Sequence, residues 1–282
     1  MKILSNISRF FLSLIALFLP SCKDNTRVVP EKGINSIYEL KSLFYVDKSL
    51  EAIVLGVDFK DDSTFQNAIA NFRAERYKDG YQKIKDAVRL YESDQFKFFA
   101  LAFAQQKLGY IEDAKATLTA LLKHPQAESR TLLWTWSALR KLGKQPPPEI
   151  ADQVLGVIIE VPISNSIDVL AAYADKRARY LNHAGGGVYW ERIDDKKIGE
   201  LIEKLIKTSQ IKLSELRAKE IKPAPGNRDD IVSLLTPDGT FTFAYSREID
   251  SIISPILSAG TTLLVGLLEE HQKNLKSEEV RK

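Results

Sequence analysis

The tripeptide Lys107-Leu108-Gly109 returns 34 residues later as Lys141-Leu142-Gly143. A recurrence at that step constrains a fold strongly, because each unit must bury its apolar face on its neighbour. The same step taken back from Gly109 reaches Glu75, in the turn before a helix beginning Asp79-Gly80-Tyr81. Apolar residues between these turns recur at helical spacing, so the repeated unit reads as two helices joined by a short turn. In this register 61–94 and 95–128 are two units and 129–144 is a final half. Upstream, 34–59 is read as helix, with Ile37, Leu40, Leu43 and Phe44 on one face, and a short strand over 52–59 as the alternative for its end.

The period and the helix–turn–helix pattern resemble tetratricopeptide repeats. In the second unit Phe98, Leu101, Ala102 and Gln105 take the packing positions of the first helix, and Ala114, Leu118 and Leu121 those of the second. The small Ala102 and Ala114 allow close approach. The first unit departs from the pattern at Thr64 and Asn67, and the family's late proline is displaced to Pro125. The resemblance implies a concave face that holds a peptide of a protein partner. No cluster of Asn, Lys or Arg marks such a face here, so the residues favour a packing scaffold over a peptide receptor. Trp134 and Trp136 fall where the array ends.

Residues 145–148 (Gln-Pro-Pro-Pro) stop the helical pattern, since proline lacks the amide donor and clashes with the preceding turn. They are read as a stiff linker between a helical domain, 34–144, and a second module, 149–282. In that module 154–191 is the one long stretch with a β-like pattern. Strands are expected at 157–161, 167–174, 177–182 and 188–191, separated by turn signals. A helix follows over 194–220, with Asp194 or Asp195 as its N-cap. Strands 231–235 and 240–245 then flank Thr236-Pro237-Asp238-Gly239, and an apolar helix over 249–270 closes the module, leaving the rest as a solvated tail. The fold class is therefore α+β: helical repeats, then an antiparallel-sheet module. Its strand and helix order resembles small profilin-like or roadblock-like modules. The Ala171-Ala172-Tyr173-Ala174-Asp175 and Ala178-Arg179-Tyr180-Leu181-Asn182-His183 strands also resemble an uncharacterised bacterial family, which implies a shared module and no known activity.

The N-terminus carries a different message. Lys2 and Arg9 precede the apolar run 10–19, interrupted only by Ser13. As a helix it spans about 15 Å, half of a ~30 Å hydrocarbon core, which suits a signal peptide over 1–21 and not a membrane span. Leu19-Pro20-Ser21-Cys22 resembles the bacterial lipobox, and Cys22 is the only cysteine in the chain. The resemblance implies cleavage before Cys22, acylation of its thiol, and membrane attachment through a polar tether, 22–33. Each buried CH₂ of an acyl chain contributes about 0.8 kcal/mol, so several chains anchor durably. Lys23 after the cysteine favours the outer membrane of the cell envelope.

Without residues 1–21, Lys2 and Arg9 are lost, leaving 38 basic against 37 acidic side chains, a net charge of +1. That excludes the basic surplus typical of nucleic-acid binders. No phosphate loop, dinucleotide fingerprint or nucleophile elbow is present, the three histidines have no metal-ligand spacing, and no cofactor is called for. One corner remains as a candidate ligand-binding site: Asn182 and His183 beside Gly185–Gly187, with Glu191 beyond. A glycine loop beside a histidine admits a ligand; the ordinary alternative is a packed strand-end histidine with glycines supplying positive φ. The sequence thus reads as a lipid-anchored envelope protein, a non-enzymatic scaffold or binding protein, with an envelope enzyme built around Asn182, His183 and Glu191 as the alternative.

Overall fold

The computed structural model describes residues 44–46, 48–56, 63–90, 95–163, 166–218 and 229–279. The signal peptide, Cys22 and the tether lie outside the described residues. The chain divides into two compact units. One is helical and comprises 46–152 with Pro237–Gly239; the other, built on a sheet, comprises the remaining described residues.

In the helical unit α1 (Leu50–Leu55) is followed by α2 (Ser63–Arg73), α3 (Tyr77–Leu90), α4 (Gln95–Lys107), α5 (Ile111–Leu121), α6 (Ser129–Lys141) and a single turn, α7 (Pro148–Ala151). Of the region 34–59, read as helix, 34–43 and 57–59, with Ile37, Leu40 and Leu43, lie outside the described residues, and 50–55 is helical, started by Ser49, whose hydroxyl accepts from the Ala52 amide at 3.1 Å. The 34-residue step appears in the backbone itself. Glu75, Gly109 and Gly143 all adopt positive φ, at 58°, 82° and 85°. Each ends its helix with the same pair of bonds. Arg76, Tyr110 and Lys144 donate to the carbonyls of Asn71, Gln105 and Leu139, at 2.9, 2.8 and 2.9 Å. Glu75, Gly109 and Gly143 donate to Phe72, Gln106 and Arg140, at 3.0, 3.1 and 2.9 Å. This is the Schellman arrangement, which satisfies carbonyls that a helix end leaves unpaired.

Packing within the unit follows the small residues. Ala68, Ala102 and Ala114 are fully buried. Gly80 brings α3 against α2 so closely that an added Cβ would lie 2.3 Å from Phe72 Cε1. Thr64 and Asn67 face solvent, and the core positions of α2 are Phe65, Ala68, Ile69 and Phe72, one residue out of phase with the sequence reading. In α4, Leu101, Ala102 and Gln105 are buried as read, and only Phe98 is half-buried, with Phe99 buried beside it. Pro147 is extended and Pro148 is the first residue of α7, where its missing amide costs nothing.

The sheet unit runs β1 (Gly156–Ile163), β2 (Ser166–Tyr173), β3 (Ala178–Leu181), β4 (Gly187–Trp190), α8 (Lys196–Ala218), β5 (Ile231–Thr236), β6 (Gly239–Ala244) and α9 (Asp250–Glu279). The six strands form one antiparallel sheet in the order β4-β3-β2-β1-β5-β6. Strand β1 is apolar almost throughout because it is buried on both faces. Val157, Ile159 and Val161 join Leu170, Tyr180, Trp190 and Leu234 beneath α8 and α9. On the other face Ile158, Val169 and Tyr173 are buried, the Tyr173 hydroxyl donates to the Phe44 carbonyl at 3.0 Å, and Tyr45 donates to Glu160. Asp195 caps α8, accepting from the Ile198 amide at 2.9 Å.

Helix α9 is long and apolar enough to cross a membrane by length and composition. Here it packs on the sheet through Ile252, Ile256, Leu263 and Leu267. A Cβ on Gly260 would lie 2.2 Å from Ile159 Cδ1, so a small residue is required at that crossing. The helix continues to Glu279, past the end at Glu270 expected from the sequence. The added stretch lacks glycine and proline and is mostly Gln, Lys, Leu and Glu, which favour helix, and Glu270 pairs with Lys197 and Lys273 across the junction.

Candidate functional site

At the tip of the β3–β4 hairpin, Asn182 and His183 are neighbours with distinct tasks. The Asn182 side-chain oxygen accepts from the amides of Ala184 and Gly186, at 3.0 and 2.9 Å, and holds the turn closed. Only Gly185 of the three glycines takes a positive φ, 86°. His183 turns toward Asp168. The buried Asp168 carboxylate accepts from the His183 amide at 2.7 Å, from the Tyr180 hydroxyl at 2.7 Å, and meets His183 Nδ1 at 2.9 Å. Burial, then the Asp168 charge, pushes the Tyr180 hydroxyl well above its ordinary pKa. The arrangement fixes the imidazole and leaves its ring 29% exposed.

Glu191 is not part of that corner. Register places Trp190 opposite Ala178, so Glu191 stands beside Arg177, at the other end of the hairpin from the tip. Asn182 is five residue steps along the chain from Arg177, roughly 16 Å at ~3.3 Å per residue. There Glu191 binds Arg177 at 3.0 Å and Arg179 at 2.8 Å, and Arg177 also holds Asp175 at 3.1 Å. Arg177 and Arg179 are thus both engaged with the protein's own carboxylates. Among the described residues no group of three His, Cys, Asp or Glu side chains is placed to hold a metal.

A second locus lies on the helical unit. Helix α4 is buried almost all round, from Lys97 through Phe99, Leu101 and Phe103 to Gln105. A helix with no polar stripe must be covered on every side. Neighbours α3 and α5 cover two sides and α1 covers a third, laying Leu50, Ile53 and Val54 into the unit's core. Those positions are i, i+3 and i+4, one face of a helix.

Three cations hold the 48–55 segment there. Arg73 donates to the Leu55 carbonyl at 3.1 Å. Lys107 pairs with the Glu51 carboxylate at 3.2 Å, and Lys141 donates to the Lys48 carbonyl at 3.0 Å. Residues 73, 107 and 141 are one repeat step apart, each the last residue of its helix. The hydrogen bond to Glu51 raises the Lys107 pKa, and the ammonium also stands over the rings of Tyr77 and Phe103, at 5.5 and 5.3 Å. Beside the segment a cavity of about 240 Å³ opens between Glu51, Phe103, Gln106 and Lys141.

The sequence contained this ladder. Two of its rungs are the lysines of the recurring tripeptide, and the same step back from Lys107 gives Arg73. No cluster marks it along the linear sequence, because one residue per repeat makes a row only after folding. A wider, open groove of about 870 Å³ runs along α5 to Lys144, where the third repeat has a single turn in place of a second helix. Lys115 there is paired with Glu112 at 2.7 Å, and Lys144 donates to Thr119 at 2.7 Å.

No family model matches the chain, and neither a curated protein nor a solved structure is found to be similar to it.

Proposed function

We propose that this chain is a lipid-anchored bacterial envelope protein, attached through acylated Cys22, whose tetratricopeptide-like repeats hold a peptide segment of a protein partner. The observation that carries the binding role is the row of Arg73, Lys107 and Lys141 set at the repeat interval along an apolar seat. An apolar helical face laid in a groove, with charged residues fixing its register, is a recurrent mode of peptide recognition. The tetratricopeptide-like reading is supported by the three left-handed turns at the same interval. The anchor is supported by the apolar run 10–19 ending in a lone cysteine.

Two measurements test the two halves. Cys22→Ser should release the protein from the membrane fraction; an equally membrane-bound variant would remove the anchor from the proposal. A photo-crosslinking residue at Gln106, beside the groove, should capture one envelope protein in cells, and Lys107→Glu should abolish the adduct. Adducts that persist unchanged in Lys107→Glu would remove the groove from the proposal.

A further inference from the structure

We propose that residues 48–55 are a tethered stand-in for the groove's ligand. The groove then receives in trans a short helical peptide with apolar residues at i, i+3 and i+4 and an acidic residue at i+1. This rests on the peptide-groove reading above and names the ligand class and the regulation of that site. The pattern is that of Leu50-Glu51-Ala52-Ile53-Val54, whose three apolar side chains are buried while Glu51 reaches Lys107.

The three cations do not read the same thing. Arg73 and Lys141 bind main-chain carbonyls, which every peptide has. The Leu55 carbonyl closes α1, where the helix leaves acceptors unpaired and its dipole favours a cation. The outer rungs thus recognise the ends of a helix of a set length, whatever its sequence. Lys107 alone meets a side chain, and it selects an acid. Length is set by the outer pair and identity by the middle rung and the apolar seat.

The stand-in is built to leave. Helix α1 has six residues, too few to be stable by itself in water, and Gly56 follows it. Its one ion pair is open to solvent, with Glu51 52% and Lys107 33% exposed, so it is screened and exchangeable. A segment on the same chain acts at a high effective concentration, set by the length of chain that joins it to the groove. A trans ligand therefore competes against its own imitation, and groove occupancy becomes a threshold set by partner concentration.

The test uses the full chain in detergent and a fluorescein-labelled peptide, KSLEAIVLG, the sequence of residues 48–56. Ile53→Asp places a charge in the buried seat and ejects the cis segment. The peptide should then bind this variant at least tenfold more tightly than the wild-type chain, measured by anisotropy. Adding Lys107→Glu should weaken that binding at least tenfold, and a peptide carrying Lys in place of its Glu should recover it. Absence of binding to Ile53→Asp, with circular dichroism and thermal unfolding showing the helices intact, overturns the proposal. Should Ile53→Asp lose its fold, Glu51→Lys loosens only the exposed rung. That variant should then bind the wild-type peptide more tightly than the unmodified chain does, and equal binding overturns the proposal. Neither membranes nor a cellular partner enters the assay. A negative peptide result beside a Lys107-dependent adduct at Gln106 would reject the stand-in and keep the groove; a positive one without an adduct would keep the groove and its stand-in and reject only the envelope partner sought at Gln106.

Discussion

Glu75 is the one rung of the repeat's turn series that is not glycine, and replacing it tests whether the three turns are equivalent. Its φ of 58° is strained for a residue with a Cβ, and the side chain is exposed. Relief of that strain by Glu75→Gly stabilises by about 1–2 kcal/mol. The greater freedom of glycine in the unfolded chain offsets about 0.4–1 kcal/mol of it. The net gain is roughly 0.5–1 kcal/mol. Gly109→Ala and Gly143→Ala should show the mirror image, a loss of similar size, because an added Cβ meets nothing within 4 Å and only the backbone strain changes. Glu75→Ala keeps the strain and is the control, with little change expected. Urea unfolding reads these shifts. With a slope of about 2 kcal/mol per molar, the midpoint of the helical unit should rise by roughly 0.2–0.5 M in Glu75→Gly and fall by as much in the two glycine variants. Trp134 and Trp136 report on the helical unit, so its transition can be followed separately from Trp190. A Glu75→Gly midpoint at or below wild type, at unchanged slope, would falsify the equivalence of the three turns.

Other expectations concern groups whose surroundings are equally defined. Asp168→Asn should cost about 2–3 kcal/mol, because a buried acceptor of three hydrogen bonds loses its charge, while Tyr180→Phe costs about 1–2 kcal/mol; denaturant titration distinguishes them. Asp230 is pushed up from 3.8 to about 6, first by burial and then by the charge of Asp229. The folded state therefore holds the extra proton between those values. The resulting stability is complete below the unfolded pKa and is lost as pH rises through 6, by at most about 3 kcal/mol. Asp230→Asn should remove that slope from a series of melts between pH 4 and 7. Gly80→Ala should lower stability by about 1 kcal/mol despite the better helix propensity of alanine, since the Phe72 ring occupies the space of the new methyl. Phe72→Leu in the same chain should recover most of that loss, a coupling that a double-mutant cycle measures.

Much of the fold was legible in the residues because its signals are local. The reversal at Asp175-Lys176 and the Pro-Asp-Gly turn punctuate strands of the right length, and the order of four strands, helix, two strands and helix follows from such signals. Sheet order was not readable, because pairing β1 with β5 joins segments some seventy residues apart and only tertiary burial selects that edge. The candidate corner shows the same limit. Asn182 and His183 are adjacent in sequence and remain so in space. Glu191 is near the corner along the chain only, because a hairpin sends residues on either side of its tip away from it. Asp168, the true neighbour of His183, is fifteen residues earlier and reaches it only through the β2–β3 register.

The recurring tripeptide carries two roles at once, and the physics separates them. The cation two positions before the left-handed residue is the last helical residue of its repeat. A positive charge there is stabilising against the helix dipole whether or not anything lies in the groove. On that ground alone Arg73→Gln, Lys107→Gln and Lys141→Gln should each cost a similar few tenths of a kcal/mol. The groove adds an asymmetry that the dipole lacks. Rungs 73 and 141 hold carbonyls, so their loss weakens every helical peptide alike; rung 107 holds a carboxylate, so its loss weakens acidic peptides and spares neutral ones. Equal stability costs with unequal peptide selectivity is the pattern that assigns the row to recognition. Equal effects in both measurements would return it to capping, and the same three residues would then be explained by helix ends alone.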